Sequence, residues 1–92
     1  MKEKIQKIYE QANAYISESN TVHPIDIIEN TSDLYIEYKD KLPQELQEMC
    51  NKCYKFINED YDNYITFSQI ISTGNNLIEK IHNIFGKWLN CN

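Results

Sequence analysis

No arginine occurs in the 92 residues, and all nine basic side chains are lysine. Without guanidinium groups there is no bidentate fork for guanine or phosphate. A formal net charge of −5 repels a polyanion as a whole, so nucleic acid is excluded as a partner. No apolar run exceeds three residues, far short of the roughly 20 needed to span a bilayer. The opening MKEKIQKIYEQ mixes Lys with Glu and never builds the apolar centre of a secretory signal. A cytoplasmic location is therefore expected. Cysteine is scarce and odd in number, three in all, which suits a reducing compartment better than a disulfide scaffold. Glycine and proline occur only twice each, and there is no internal repeat, low-complexity tract or linker.

What is present is a balanced small-domain composition, 41% hydrophobic and 25% charged, which argues against wholesale disorder. A chain of this length forms one domain with little room for a deep catalytic pocket. Its seven tyrosines suit helix packing in which the ring is buried and the hydroxyl stays wet.

Four helical segments emerge. In residues 2–17, Ile5, Ile8, Ala12, Tyr15 and Ile16 recur at spacings of three and four, which places them on one face. SESNTVHP breaks the pattern. Pro24, suited to a first turn, opens the second helix, with Asp26 and Glu29 beside the positive end of its dipole. Ile27, Thr31, Leu34, Tyr35, Tyr38 and Leu42 form its stripe, and Lys39 and Lys41 stand near its end. Pro43 marks the first turn of the third, whose apolar face is Leu46, Met49, Cys50, Cys53, Phe56 and Ile57. NEDYDNY ends it. Thr66 and Gln69 form a capping box for the fourth. Phe67, Ile70, Ile71, Gly74, Leu77, Ile78, Ile81, Ile84, Phe85 and Trp88 follow at helical spacing.

Nothing reads as a strand. Short connections between amphipathic helices favour antiparallel neighbours. The expected fold is all-α, an antiparallel up-down-up-down four-helix bundle over residues 1–92. Its expected core is Ile8, Ala12, Ile16, Leu34, Tyr38, Leu46, Met49, Cys53, Phe56, Ile70, Ile71, Leu77, Ile78 and Ile81. Gly74, on the core face, is expected to allow a close approach. Gly86 reads as a C-terminal cap, which makes the residues from about 87 a short tail that folds back.

The candidate chemistry is sparse. A redox CxxC normally sits at a helix N-terminus after a strand, but Cys50 and Cys53 fall inside a helix, on its apolar face, and read as small core residues. A zinc site needs two further ligands from His23, His82 and Cys91, and their spacing matches no zinc pattern. Both histidines read as exposed or capping. Glu59, Asp60 and Asp62 resemble a calcium loop only loosely, lacking the central Gly and the terminal Glu, and read as a solvated turn. No glycine-rich phosphate loop occurs. No cofactor, metal or catalytic residue is expected, and the chain reads as a non-enzyme.

Charge is unevenly placed. Residues 1–22 are neutral, residues 23–43 and 44–62 are each −3, and residues 63–92 are +1. The acidity belongs to the second and third helices. The last third, with the only Trp, is the part least repelled by a membrane surface or an acidic partner.

The order of features resembles the immunity proteins of class IIa (pediocin-like) bacteriocins, in particular the enterocin A immunity group. KIYEQANAYISESNTVHPIDIIENTSDLYIEYKDKL is similar to that group's first helix, polar break and second helix. LQEMCNKCYKFINEDYDNYITFSQ is similar to its third helix, polar loop and the I-x-F start of the fourth, and LIEKIHNIFGKW to the fourth helix's end. The resemblance implies a cytosolic, likewise four-helical protein, here expected as a monomer. Such a protein shields a bacteriocin producer from its own peptide. It associates from the cytosolic side with the membrane-embedded mannose phosphotransferase permease carrying bound bacteriocin, and blocks the pore. Peripheral association with the inner face of the membrane fits the same role. Specificity is carried by the C-terminal half, so residues 81–92 are expected to hold the contact surface. Trp88 is its best single candidate, Leu89 stands beside it, and Lys80 and Lys87 steer toward an acidic face. The alternative is a small acidic helical regulator of a soluble protein, antitoxin-like or a phage-encoded inhibitor.

Overall fold

The computed structural model describes residues 1–17, 22–60 and 67–91, and they are all-helical, with no strand among them. The elements are α1 (Lys2–Ile16), α2 (Pro24–Tyr38), α3 (Gln44–Lys55) and α4 (Phe67–Cys91), with a π-helical turn, Phe56–Asp60, continuing α3. The Thr66 capping box and Asp62 lie outside the described residues.

Local chemistry accounts for the boundaries. His23 caps α2 in an extended conformation (φ −85°, ψ 134°), and Pro24, already fixed near helical φ, takes the first turn with Asp26 behind it. α2 stops at Tyr38, whose carbonyl accepts from the backbone N–H groups of Lys41 and Leu42, and this turn drives Leu42 into the core. Pro43 is the N-cap of α3 rather than a residue of its first turn. Gln47 of α3 donates its side-chain amide to the Lys39 carbonyl, satisfying a group freed by the end of α2.

One apolar core joins all four helices. α4 packs against each of the others, and α2 touches α1, α3, α4 and the π turn. The centre is Ile5, Ile27, Leu46, Cys50, Cys53, Ile78, Ile81 and Phe85, all fully buried. Thr31, also buried, donates its hydroxyl to the Ile27 carbonyl, so its polar atom is satisfied within α2.

The expected core needs correction at four positions. Ile16 and Ile71 are 42% and 46% exposed, while Tyr38 and Ile70 are half-buried. Ile16 is the last residue of α1 and Ile71 lies in the first turns of α4. The helical repeat carries both past the middle of the assembly, where partners surround a side chain. Ile28, absent from the expected stripe of α2, is 1% exposed. A helix packed on three neighbours needs a wider apolar arc than one stripe supplies.

The glycines also differ from expectation. α4 does not end at Gly86, which is a buried mid-helix residue, and the residues from 87 to 91 are helix rather than a folded-back tail. A Cβ on Gly86 would lie 2.8 Å from Cε1 of Tyr9, so this glycine is where the ring of α1 rests on the backbone of α4. At Gly74 a Cβ would meet only Ile28 Cδ1, at 3.5 Å, an ordinary contact.

Ile78→Ala is expected to cost roughly 2–5 kcal/mol in chemical denaturation, against less than about 1 kcal/mol for Ile16→Ser, at an exposed helix end. Gly74→Ala should be neutral or stabilising by up to about 1 kcal/mol through helix propensity. Gly86→Ala should cost about 1–2 kcal/mol because the Tyr9 ring must move. In a Tyr9→Ala background the Gly86→Ala penalty should vanish.

Candidate functional site

The candidate contact residues all lie on α4, and helical spacing divides them. Lys80 and Lys87 are one heptad apart and exposed, on the same outward stripe as Asn76, Asn83 and Asn90, also exposed. Trp88 and Leu89 are half-buried and pack against the core. The expected group is therefore brought onto one helix but not onto one face. Trp88 has a structural share in the fold that its place near the chain end does not reveal.

The end of α4 is held by α1. The Tyr9 and His82 rings stack at a centroid distance of 5.0 Å, with planes 14° apart. His82 Nε2 lies 3.1 Å from Asn13 Oδ1, the geometry of a ring N–H donating to an amide oxygen. One turn further on, Tyr9 covers Gly86, and Phe85 between them is fully buried. Towards the other end of the same seam, Tyr15 donates its hydroxyl to Asn75 Oδ1. His82 is thus a half-buried packing residue, neither exposed nor capping. Tyr9 and Asn13 fall outside the expected stripe of α1. The available signal was Gly86 itself, since a glycine inside a helical pattern costs propensity and marks either a packing role or a cap.

The remaining candidates stay apart. His23 caps α2, His82 sits mid-seam, and Cys91 is exposed at the end of α4. Among the described residues no three His, Cys, Asp or Glu side chains gather as a metal would require. Glu59 is exposed on the π turn, and Asp60 closes that turn. Cys50 and Cys53 are fully buried, free thiols. Desolvation pushes the Cys50 thiol from 9.0 up to about 12. It raises Cys53 as well, with the neighbouring Cys50 adding to the effect. A thiol held protonated is neither a nucleophile nor a ready ligand.

On the α1–α2 side, Lys4 bridges Glu37, and their hydrogen bond raises the lysine pKa and lowers that of the carboxyl. A hollow of about 250 Å³ lies beside this pair, also lined by Lys7, Gln11, Asn30 and Asp33. Asn30 and Gln11 bond each other across it. It is smaller than the roughly 300–1,000 Å³ typical of small-molecule sites.

No protein-family model matches the chain, and no curated protein or solved structure matches it either.

The thiols give a direct test. At pH near 8 a disulfide reagent should modify Cys91 at once and reach Cys50 and Cys53 only on unfolding. Because the folded pKa of Cys50 exceeds its unfolded value, its contribution to stability is full below pH 9 and is lost as pH rises toward 12. Cys53 acts in the same direction. Melting curves from pH 8 to 11 should show a shallower decline for Cys50→Ala/Cys53→Ala than for the parent chain.

Proposed function

We propose that the chain is an immunity protein of the pediocin-like bacteriocin class, acting by contact and not by catalysis. In this reading the helices form an antiparallel up-down-up-down bundle, and the pairings across them support it. Lys4 with Glu37 and Gln11 with Asn30 run α1 against α2. Lys39 with Gln47 and Tyr35 with Tyr54 run α2 against α3. Tyr9 with Gly86 and Tyr15 with Asn75 run α1 against α4.

The observation that carries the proposal is the division of α4. One face is sealed into the core by Ile78, Ile81 and Phe85, while Lys80 and Lys87 stand outward with Asn76, Asn83 and Asn90, the exposed Glu79 beside them. Such a helix is rigidly placed yet offers a hydrogen-bonding surface whose two lysines outnumber its one carboxylate. The partner is the membrane-embedded mannose phosphotransferase permease with bacteriocin bound, met from the cytosolic side by a single copy of the chain, which blocks the pore. No described helix is long and apolar enough to cross a membrane, which suits a contact made from the surface. Trp88 and Leu89 shape the edge of that surface from their half-buried positions.

A second reading, a regulator of a soluble protein, is favoured by one observation. α2 exposes Asp26, Glu29, Asp33 and Glu37 and contains no basic residue. Expression in a strain sensitive to pediocin-like peptides separates the two. Under the immunity proposal the chain confers resistance, and Lys80→Glu/Lys87→Glu abolishes it. Exposed substitutions of this kind cost within about 0.5 kcal/mol, so the melting temperature should stay nearly constant. Full resistance in that variant would remove the outward stripe of α4 from the mechanism, and no resistance from the parent chain would favour the second reading.

A further inference from the structure

A separate hollow of about 260 Å³ opens where α2 begins, the π turn begins and α4 starts its second turn. Ile28 and Phe56, both buried, form its inner wall, and Gly74 leaves space beside Ile28. Ile70 and the exposed Ile25 and Ile71 form its rim. Two isoleucines 37% and 46% exposed on one depression form a continuous apolar surface, not scattered exposure.

The charges around it select the occupant. On α2, Asp26 and Glu29 flank the lining residues Ile25 and Ile28, are exposed, and have no ion-pair partner among the described residues. Across the hollow, residues 68–78 of α4 carry no charge. Lys52 and Lys55 lie on the far flank of Phe56, around a different depression shared with Thr73 and Leu77. A second copy of the chain would bring one acidic α2 face against another. A neutral apolar ligand would leave the carboxylates without a role, and an anionic one would be repelled.

We propose that this hollow seats one or two large apolar side chains of a cationic amphipathic helix, with its lysines or arginines set against Asp26 and Glu29. This is helix-in-groove recognition, with apolar anchors supplying affinity and the charges supplying orientation and on-rate. The site is distinct from the outward stripe of α4. Ile71 and Trp88 are separated by roughly 25 Å along the helix at about 1.5 Å per residue. The proposal does not depend on bacteriocin immunity and is tested without it.

The probe is a synthetic helical peptide of Leu and Lys with one apolar face, labelled for fluorescence anisotropy. Its controls are a scrambled peptide of equal composition and a counterpart with Glu for Lys. The amphipathic cationic peptide should bind at least about tenfold more tightly than either control and weaken as salt is raised. Ile25→Ser/Ile71→Ser and Asp26→Asn/Glu29→Gln should each weaken it by about tenfold, while Lys80→Glu/Lys87→Glu should not. Amide shift mapping on the unaltered chain should place the perturbations at Ile25, Ile28, Ile71 and Gly74, so the outcome does not rest on any variant folding. Equal binding of the scrambled peptide, insensitivity to both groove variants, or shifts confined to the outward face of α4 would overturn the proposal.

Discussion

The fold depends on two helices, α2 and α4, that each pack against the other three. α1, α2 and α3 run to 15, 15 and 12 residues, lengths at which an isolated helix is marginal in water. Each sets an apolar face against α4, where Ile78, Ile81 and Phe85 are completely enclosed, and α1 and α3 also pack against α2. That role explains the low charge of the last third of the chain. A helix flanked on three sides keeps one arc for water, and Asn76, Glu79, Lys80, Asn83, Lys87 and Asn90 stand on it. Whatever α4 recognises, it must do so with that arc and the edges beside it.

The sequence carried the helices well because their signals are local. Pro24 starts α2 through its own fixed φ, and the i, i+3, i+4 repeats of α3 and α4 pick out Leu46, Met49, Cys53, Leu77, Ile78 and Ile81 without reference to any partner. What escaped was everything set by distant neighbours. Periodicity cannot say where a stripe outruns its partners, hence Ile16 and Ile71. It cannot say how many helices surround a given one, hence Ile28. Gly86 illustrates the limit most clearly. A glycine near a helix end signals a cap or a close approach equally well, and the residue that decides, Tyr9, lies at the other end of the chain. The candidate surface was legible to the same degree. Lys80 and Lys87 are outward as charged residues on an amphipathic helix must be, whereas Trp88, at core spacing and with a large ring, is drawn partly inward.

Charge and shape are also segregated in a way that composition hides. Among the helices the negative charge is concentrated on α2, which carries four acidic residues and not a single basic one, whereas the two acids and two lysines of α3 cancel. The lysines of α4 face outward from a different part of the molecule. The chain thus presents an acidic surface on α2 and a weakly basic one on α4, and neither reaches the core, so each can change without repacking the interior.

The seating of Tyr9 on Gly86, with His82 stacked above, has a consequence for how the chain comes to its structure. It joins the first helix to the last, so the loop it closes contains nearly the whole polypeptide. Contacts of such separation form late, after the entropy of closure has been met. Packing of α2 on its sequence neighbours α1 and α3 therefore precedes the seating of Tyr9 on Gly86.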